Sequence, residues 1–191
     1  MKNHRIAIAA LQAVLAVPAF AADYYVDAAA GNNANSGASW AAAKATVQAA
    51  VAAAAPNDTI HVRNGVYFVN GAYGSLTINK NLTLLGGYTN CGLRRPRSSP
   101  SYLYNLGPAN PTNPSILTKT GTALVTVDGF RFWNGYSSNG GSVNSTGGMI
   151  KLIDCWLELG FASVTGGHVR VQSGDLTIDR CRIGNGKAPQ G

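Results

Sequence analysis

Residues 140–160, GGSVNSTGGMIKLIDCWLELG, are repeated at residues 166–186 as GGHVRVQSGDLTIDRCRIGNG, with a constant offset of 26 residues. Residues 125–135 carry part of the same pattern one rung earlier, where a rung is one unit of the repeat. Short alternating apolar segments with this period are typical of a solenoid in which each rung buries its inner face on the next. The sequence therefore predicts an all-β fold, a right-handed parallel β-helix with about 25–26 residues per rung and columns of equivalent residues stacked about 4.8 Å apart.

The first 21 residues have the pattern of a secretory signal peptide. Lys2 and Arg5 precede an apolar run at residues 6–17, and small residues precede a predicted cleavage site before Ala22. This run is shorter than the roughly twenty residues that a membrane-spanning helix needs. We predict a secreted protein, in the extracellular space, the periplasm or at the outer-membrane surface, with no transmembrane segment.

The remaining chain divides into two regions. Residues 22–58 predict a strand, a Gly- and Asn-rich loop, and an Ala-rich helix at residues 40–55 that covers one end of the solenoid. Residues 59–191 predict the rungs. Within them, residues 89–114 contain five prolines and break the repeat, so we expect a loop that is ejected from the stack.

The amino-terminal half carries a series of short motifs: Tyr25-Val26-Asp27, Gly31-Asn32, Ser36-Gly37, Ser39-Trp40, Pro56-Asn57-Asp58-Thr59-Ile60-His61-Val62, Gly65-Val66-Tyr67 and Leu82-Thr83-Leu84-Leu85-Gly86-Gly87-Tyr88. Together they resemble the amino-terminal portion of secreted bacterial proteins with the pectate-lyase-like right-handed β-helix. The resemblance implies the same fold. That family includes surface and outer-membrane proteins with a carboxy-terminal anchor, and also some polysaccharide lyases.

The repeat stops after about five rungs, and residues 187–191 do not have the pattern of a capping segment. The resemblance implies a longer solenoid, since members of that family generally have many more rungs. An uncovered solenoid end exposes core residues and strand edges. We therefore expect either a truncated chain or an open carboxy-terminal end that stacks on another copy of the chain.

The net charge of the chain and the distribution of its basic residues bear on whether it binds nucleic acid or another acidic partner. Without Lys2 and Arg5, 13 basic and 8 acidic side chains remain, which gives a net charge of +5. Arg94, Arg95 and Arg97 are clustered in a Pro- and Ser-rich stretch, whereas a nucleic-acid surface has basic residues spread over a face with interleaved aromatics. We predict no nucleic-acid partner. The cluster is interpreted as a solvated loop, with contact to acidic glycans or phosphorylated lipid as the alternative.

Three cysteines are present. Cys155 and Cys181 occupy the same inward column of the predicted repeat, and Cys91 lies in the basic stretch. Side chains in register point the same way, which suits the torsion of a disulfide poorly. We expect a buried stack of two thiols, with Cys91 free or paired outside the chain.

Aspartates are the candidates for catalysis. Asp128 and Asp179 fall in one column, and Asp154 falls in the next column beside Arg180. In β-helix lyases, carboxylates hold Ca²⁺ against an acidic sugar while a basic residue takes the proton. Glycoside hydrolases use two carboxylates as acid and as base or nucleophile. We favour a structural interpretation, in which aspartates fix turns through backbone amides and Asp154 forms a surface ion pair with Arg180.

Oxygen ligands for Ca²⁺ are available at Asp27, Asn32, Asn33 and Asn35. Their spacing matches no EF-hand loop, so turn-forming hydrogen bonds are favoured for these residues. No other cofactor is predicted.

Trp133, Tyr136 and Trp156 are the candidate carbohydrate contacts. Phe132 is expected to point inward, which directs Trp133 outward, and Trp156 lies between the inward residues Cys155 and Leu157. Outward aromatic rings on a solenoid wall stack on sugar rings. The alternative is that they pack under the ejected loop.

Two functions are consistent with these sequence features. The first is a non-catalytic secreted or cell-surface module that contacts polysaccharide or a cell-surface glycan, in an adhesive or scaffold role. The second is a polysaccharide lyase or glycoside hydrolase whose active rungs lie partly beyond residue 191. We favour the first because the sequence shows no convincing acid–base arrangement.

Overall fold

The computed structural model describes residues 20–69, 74–105 and 113–188. Within these ranges the protein is mostly β-structure in parallel sheets. The strands are β1 (Asp23–Val26), β2 (Thr59–Arg63), β3 (Gly65–Phe68), β4 (Leu76–Ile78), β5 (Leu82–Tyr88), β6 (Ser101–Tyr104), β7 (Leu117–Lys119), β8 (Leu124–Asp128), β9 (Phe130–Trp133), β10 (Tyr136–Asn139), β11 (Val143–Ser145), β12 (Met149–Ile153), β13 (Trp156–Glu158), β14 (Phe161–Thr165), β15 (Val169–Val171), β16 (Asp175–Asp179) and β17 (Arg182–Gly184). The predicted signal peptide lies almost wholly outside the described residues.

These strands form four sheets within the described ranges. Sheet A has the order β1-β2-β5-β8-β12-β16, sheet B the order β17-β13-β9-β6-β3, sheet C the order β15-β11-β7-β4, and sheet D pairs β10 with β14. From β2 onward the chain visits sheets A, B and C in the same order on each pass. In the passes that begin at β8 and β12, it also visits sheet D between sheets B and C.

Equivalent residues of successive passes stack in register. In sheet A, one inward column consists of Ile60, Leu84, Val127, Leu152 and Ile178. The first four are fully buried, because alternate residues of a strand point to opposite faces of the sheet. The pairing of residues 140–160 with residues 166–186, predicted from the repeat, is confirmed in sheets A, B and C.

A helix lies against the first strands. The helix α1 (Val47–Ala53) buries Val47, Ala50 and Val51 and contacts β1, β2 and β4. The single helix predicted at residues 40–55 is wrong. A short 3₁₀ helix, Trp40–Ala42, is separated from α1 because Lys44 donates its N–H to the Tyr25 carbonyl at 2.9 Å and pairs with β1. Among the described residues, no helix has the length and apolar composition needed to cross a membrane.

Part of the segment predicted as an ejected loop belongs to the sheets. Strand β6 lies within residues 89–114, and it pairs with β3 on one side and β9 on the other. Ser101 and Leu103 of this strand are fully buried. The prediction that residues 89–114 leave the stack is therefore wrong for residues 101–104. Residues 106–112 lie outside the described residues.

The inward residues of the last described pass are more exposed than those of the pass before it. At the end formed by β16 and β17, the inward residues Leu176, Ile178 and Ile183 are 40%, 42% and 49% exposed. Their counterparts one pass earlier, Ile150, Leu152 and Leu157, are fully buried. Contact of this end with another copy of the chain stays a prediction.

Candidate functional site

One face of sheet B carries a cluster of large side chains, which we call the aromatic face. Inward positions of β3, β6 and β9 are taken by Tyr67, Leu103 and Phe132, so the residues beside them point outward. The aromatic face consists of Val66, Phe68, Tyr102, Tyr104, Arg131, Trp133 and Trp156. All but Trp156 line an open groove of about 430 Å³.

The strand register arranges the aromatic face in two columns, and Glu158 extends the second of them. The first contains Val66, Tyr102, Arg131 and Trp156, and the second contains Phe68, Tyr104, Trp133 and Glu158. Adjacent members of a column are separated by the spacing of paired strands, about 4.8 Å. Phe68 and Tyr104 meet edge to face, with their ring centroids 5.8 Å apart.

Arg131 is held at the centre of the aromatic face. Its guanidinium carbon lies 3.9 Å from the ring centroid of Trp156 and 5.4 Å from that of Tyr102. Its Nη1 donates a hydrogen bond of 2.8 Å to the Tyr102 hydroxyl, and its Nε lies 3.6 Å from Glu158 Oε2. The positive charge of Arg131 is thus stacked on aromatic rings and balanced by a carboxylate.

Two of the three predicted aromatic contacts belong to this site. Trp133 and Trp156 are half-buried on the aromatic face. Tyr136 is not part of it, because it lies in sheet D and stacks on Phe161 with ring centroids 4.8 Å apart. The arrangement offers ring faces and edges, two tyrosine hydroxyls and one compensated cation to a ligand.

Five residues of the aromatic face were not predicted from the sequence, namely Arg131 of β9 and four residues of β3 and β6. Val66, Phe68, Tyr102 and Tyr104 lie in segments with no detectable copy of the 26-residue repeat. The alternation in Ser101-Tyr102-Leu103-Tyr104 was a usable signal, because it places both tyrosines on one face of a strand.

No protein-family model matches this chain, and no curated protein or solved structure matches it.

The basic segment at residues 94–97 lies against sheet A, and the interpretation as a solvated loop is wrong for Arg94, which is partly buried, whereas the Arg97 side chain is 62% exposed. Arg94 Nη2 lies 2.5 Å from Asp128 Oδ1, and Arg97 Nη2 lies 3.0 Å from Asp154 Oδ1. Arg95 is exposed, and its backbone N–H donates to the Gly87 carbonyl at 2.7 Å.

The candidate catalytic carboxylates are engaged by arginines. Asp128 and Asp179 share an outward column with Ile153 between them, as predicted. Arg180 lies 3.0 Å from Asp154 Oδ2 and 2.5 Å from Asp179 Oδ2, which confirms the predicted pair with Asp154. Asp128 and Asp179 contact guanidinium groups, whereas backbone amides had been expected for them.

These contacts set the charge of Asp154. Hydrogen bonds from Arg180, and then from Arg97, outweigh the effect of burial and lower the pKa of the Asp154 carboxyl. The hydrogen bond to Asp154 and the charge of that carboxylate in turn raise the pKa of Arg180. Asp154 is therefore ionised and shared by two cations, a state that is poorly suited to a general acid.

The four oxygen-bearing residues suggested for Ca²⁺ are engaged by other groups of the chain. Asp27 Oδ2 lies 2.6 Å from Arg63 Nη1, and Asp27 Oδ1 accepts from the N–H of Ala29 at 2.9 Å. Asn32, Asn33 and Asn35 bond to backbone groups of residues 34, 45, 46 and 43. The ammonium of Lys44 donates to the carbonyls of Asn33 and Asn35, so the loop already holds a cation.

Proposed function

We propose that this chain is a right-handed parallel β-helix that acts as a secreted or cell-surface module and contacts carbohydrate without catalysis, in an adhesive or scaffold role. The fold proposal is supported by the repeated passage through sheets A, B and C and by the in-register columns. The amino-terminal motifs that resemble the pectate-lyase-like family support the same fold.

The aromatic face is the observation that carries the proposed function. Three aromatic residues of one column, Phe68, Tyr104 and Trp133, line an open groove together with Tyr102, and Trp156 follows Arg131 in the neighbouring column. Large aromatic rings at an exposed sheet surface bury less apolar area than they would at inward positions, so they contribute less hydrophobic stabilisation to the fold. Such a patch on a protein surface marks a site of interaction.

Carbohydrate is the ligand class that suits the chemistry of this groove. Sugar rings present C–H groups on their faces and hydroxyls at their edges. Aromatic faces pack against the former, and the hydroxyls of Tyr102 and Tyr104 offer hydrogen bonds to the latter. The groove is open along the sheet, so a chain of sugar units is accommodated better than a small enclosed ligand.

The absence of catalysis is proposed because of the arginine contacts. Asp128, Asp154 and Asp179 each lie within 3.0 Å of a guanidinium nitrogen. A glycoside hydrolase needs one carboxyl group that is protonated near neutral pH. The lowered pKa of Asp154 opposes that role.

The test is a polysaccharide-binding screen with residues 22–191, which also records the release of reducing or unsaturated ends with and without Ca²⁺. Trp133→Ala and Trp156→Ala are each expected to weaken binding at least about tenfold, the equivalent of about 1.4 kcal/mol. Trp133→Phe retains a ring and is expected to bind more tightly than Trp133→Ala. Tyr136→Ala is the matched control, because it removes an aromatic ring from sheet D.

Each outcome of this screen is informative. Binding that survives both tryptophan substitutions in folded protein would remove the aromatic face from the function. Release of sugar ends that is lost in Asp128→Asn, Asp154→Asn or Asp179→Asn would replace the proposal with the second candidate, a polysaccharide lyase or glycoside hydrolase. Circular dichroism of each variant establishes that its β-structure is intact.

A further inference from the structure

Two thiols meet at the turns that follow β12 and β16. Cys155 and Cys181 precede β13 and β17 at equivalent positions, because Trp156 pairs with Arg182 in sheet B. The backbone N–H of Cys155 donates to Cys181 Sγ at 3.4 Å, and Cys181 packs against the same hydrophobic core that contains Cys155. We propose that Cys155 and Cys181 are a redox pair that closes to a disulfide by exchange with an external low-molecular-weight disulfide.

The environments of the two sulfurs assign their roles. Cys181 is half-buried, whereas Cys155 is fully buried. A hydrogen bond from the Cys155 side chain, with help from the Cys155 backbone N–H, lowers the pKa of Cys181. Burial raises the pKa of Cys155. Since the thiolate is the nucleophile, Cys181 is the attacking thiol and Cys155 is the resolving thiol.

The exchange proceeds in two balanced steps. The Cys181 thiolate attacks one sulfur of the external disulfide, which forms a mixed disulfide and releases one thiol. Cys155 then loses its proton and attacks Cys181 Sγ, which releases the second thiol and leaves the Cys155–Cys181 disulfide. The two cysteines are oxidised, the external disulfide is reduced to two thiols, and the two protons end on those thiols.

The geometry permits this disulfide and makes it reversible. Neighbouring residues in register are about 4.8 Å apart, which is within the range of Cα separations that disulfides span. Their side chains point the same way, so the bond forms with strain, and strained disulfides are the more easily reduced ones. In the oxidised form, the pass that contains β16 and β17 is tied covalently to the pass that contains β12 and β13.

The experiment uses the chain with Cys91→Ser, which removes the exposed third thiol. The reduced protein is treated with oxidised glutathione under native conditions and analysed by mass spectrometry. The expected product has lost two hydrogen atoms, carries no glutathione, and regains the original mass with dithiothreitol. In the same background, Cys155→Ser is expected to retain one glutathione on Cys181, and Cys181→Ser is expected to stay unmodified.

Two results would overturn the redox pair. One is a glutathione adduct that persists on Cys181 while Cys155 is present. The other is no reaction of the native Cys91→Ser protein under conditions in which Cys91 of the unsubstituted chain is modified. The Cys91→Ser protein alone distinguishes these outcomes, so the test does not depend on the folding of Cys155→Ser. It is also independent of carbohydrate binding.

Discussion

Arg94 Nη2 lies 2.5 Å from the carboxylate of Asp128, and this ion pair fastens the basic segment at residues 94–97 to the outer face of sheet A. The Nε of Arg94 donates to the Gly86 carbonyl at 3.0 Å as well. The approach is close because Gly129 has no side chain: a Cβ at that position would lie 2.6 Å from the Pro96 side chain. The segment is therefore held against two neighbouring passes of the chain, one containing Gly86 and the other Asp128.

Replacing Arg94 with Gln is expected to lower the free energy of unfolding by about 1–2 kcal/mol. The substitution removes the charge that compensates Asp128 and the donor to the Gly86 carbonyl. Both side chains are partly exposed, which keeps the effect below that of a fully buried pair. Urea denaturation measures the change. Arg95→Gln is the control, because Arg95 is exposed, and an equal loss in both variants would contradict the role of the Asp128 contact.

A single methyl group at Gly135 is expected to disrupt the turn between β9 and β10. A Cβ at this position would collide with the carbonyl oxygen of Gly141. That peptide cannot retreat freely, because its Ser142 N–H donates to the His168 carbonyl at 2.9 Å. We expect Gly135→Ala to cost about 1–3 kcal/mol of unfolding free energy, or to prevent folding.

Gly184→Ala is the matched control for this substitution. No atom lies within 4 Å of the position that its Cβ would take, and the expected change is within about 0.5 kcal/mol. Urea denaturation of the two variants gives the comparison. Equal stability of both would show that the close approach of Gly135 and Gly141 has no energetic consequence.

His168 is expected to make the fold sensitive to acid. Its Nε2 donates to the Gly184 carbonyl at 2.7 Å, and its Nδ1 accepts from the Ser142 hydroxyl at 3.1 Å. Burial lowers the pKa of His168, although the Gly184 carbonyl and the charge of Glu158 oppose the shift. A proton on Nδ1 removes the acceptor for Ser142 and places a charge in the interior.

The direction of this pH effect follows from the difference between the pKa values of His168 in the unfolded and the folded chain. The unfolded chain takes up the proton near pH 6.5, whereas the folded chain takes it up only at lower pH. The contribution of His168 to stability is present above pH 6.5 and is lost as the pH falls through the folded pKa. We expect the unfolding free energy to decrease between pH 7.5 and pH 5. His168→Gln should flatten this decrease, and an unchanged pH dependence in that variant would contradict the prediction.

The course of the chain through the sheets was largely predictable from the sequence, because glycines and alternating apolar residues recur at a fixed offset in the last two passes. Lys119 shows why the earlier passes were harder to recognise. It occupies an inward column with Ile78 and Ser145, and it is fully buried. Its ammonium donates to the carbonyls of Gly121 and Gly147. A charged residue at a core position, satisfied by turn carbonyls, breaks the apolar pattern on which the prediction depended.

The candidate site was only partly predictable for a similar reason. Trp133 could be placed on an outward face because the neighbouring Phe132 belongs to the repeat. Phe68 could not, since its strand has no recognisable copy, and Tyr104 could be placed only from the alternation within its own strand. The pairing of Arg97 with Asp154 joins residues 57 positions apart. Such contacts depend on how the passes stack, and local spacing contains no information about them.

Glu158 is expected to determine the charge preference of the aromatic face. Its carboxylate lies 3.6 Å from Arg131 Nε, so the groove presents little net charge and its binding of neutral polysaccharide should depend weakly on salt. Glu158→Gln uncovers the guanidinium charge while keeping the size of the side chain. One unit charge at about 4 Å in water is worth about 1 kcal/mol, or roughly fivefold in affinity.

We therefore expect Glu158→Gln to raise the affinity for an acidic polysaccharide relative to a neutral one by up to roughly fivefold at low salt, with most of the gain lost at high salt. Affinity electrophoresis at low and at high salt measures the affinities for the acidic and the neutral polysaccharide, and hence their ratio at each ionic strength. Asp175→Asn is the matched control, because Asp175 is an exposed acid on sheet A and its replacement changes the net charge of the chain by the same amount. If both variants gained affinity equally, overall charge would account for the effect, and the contact between Glu158 and Arg131 would have no part in ligand choice.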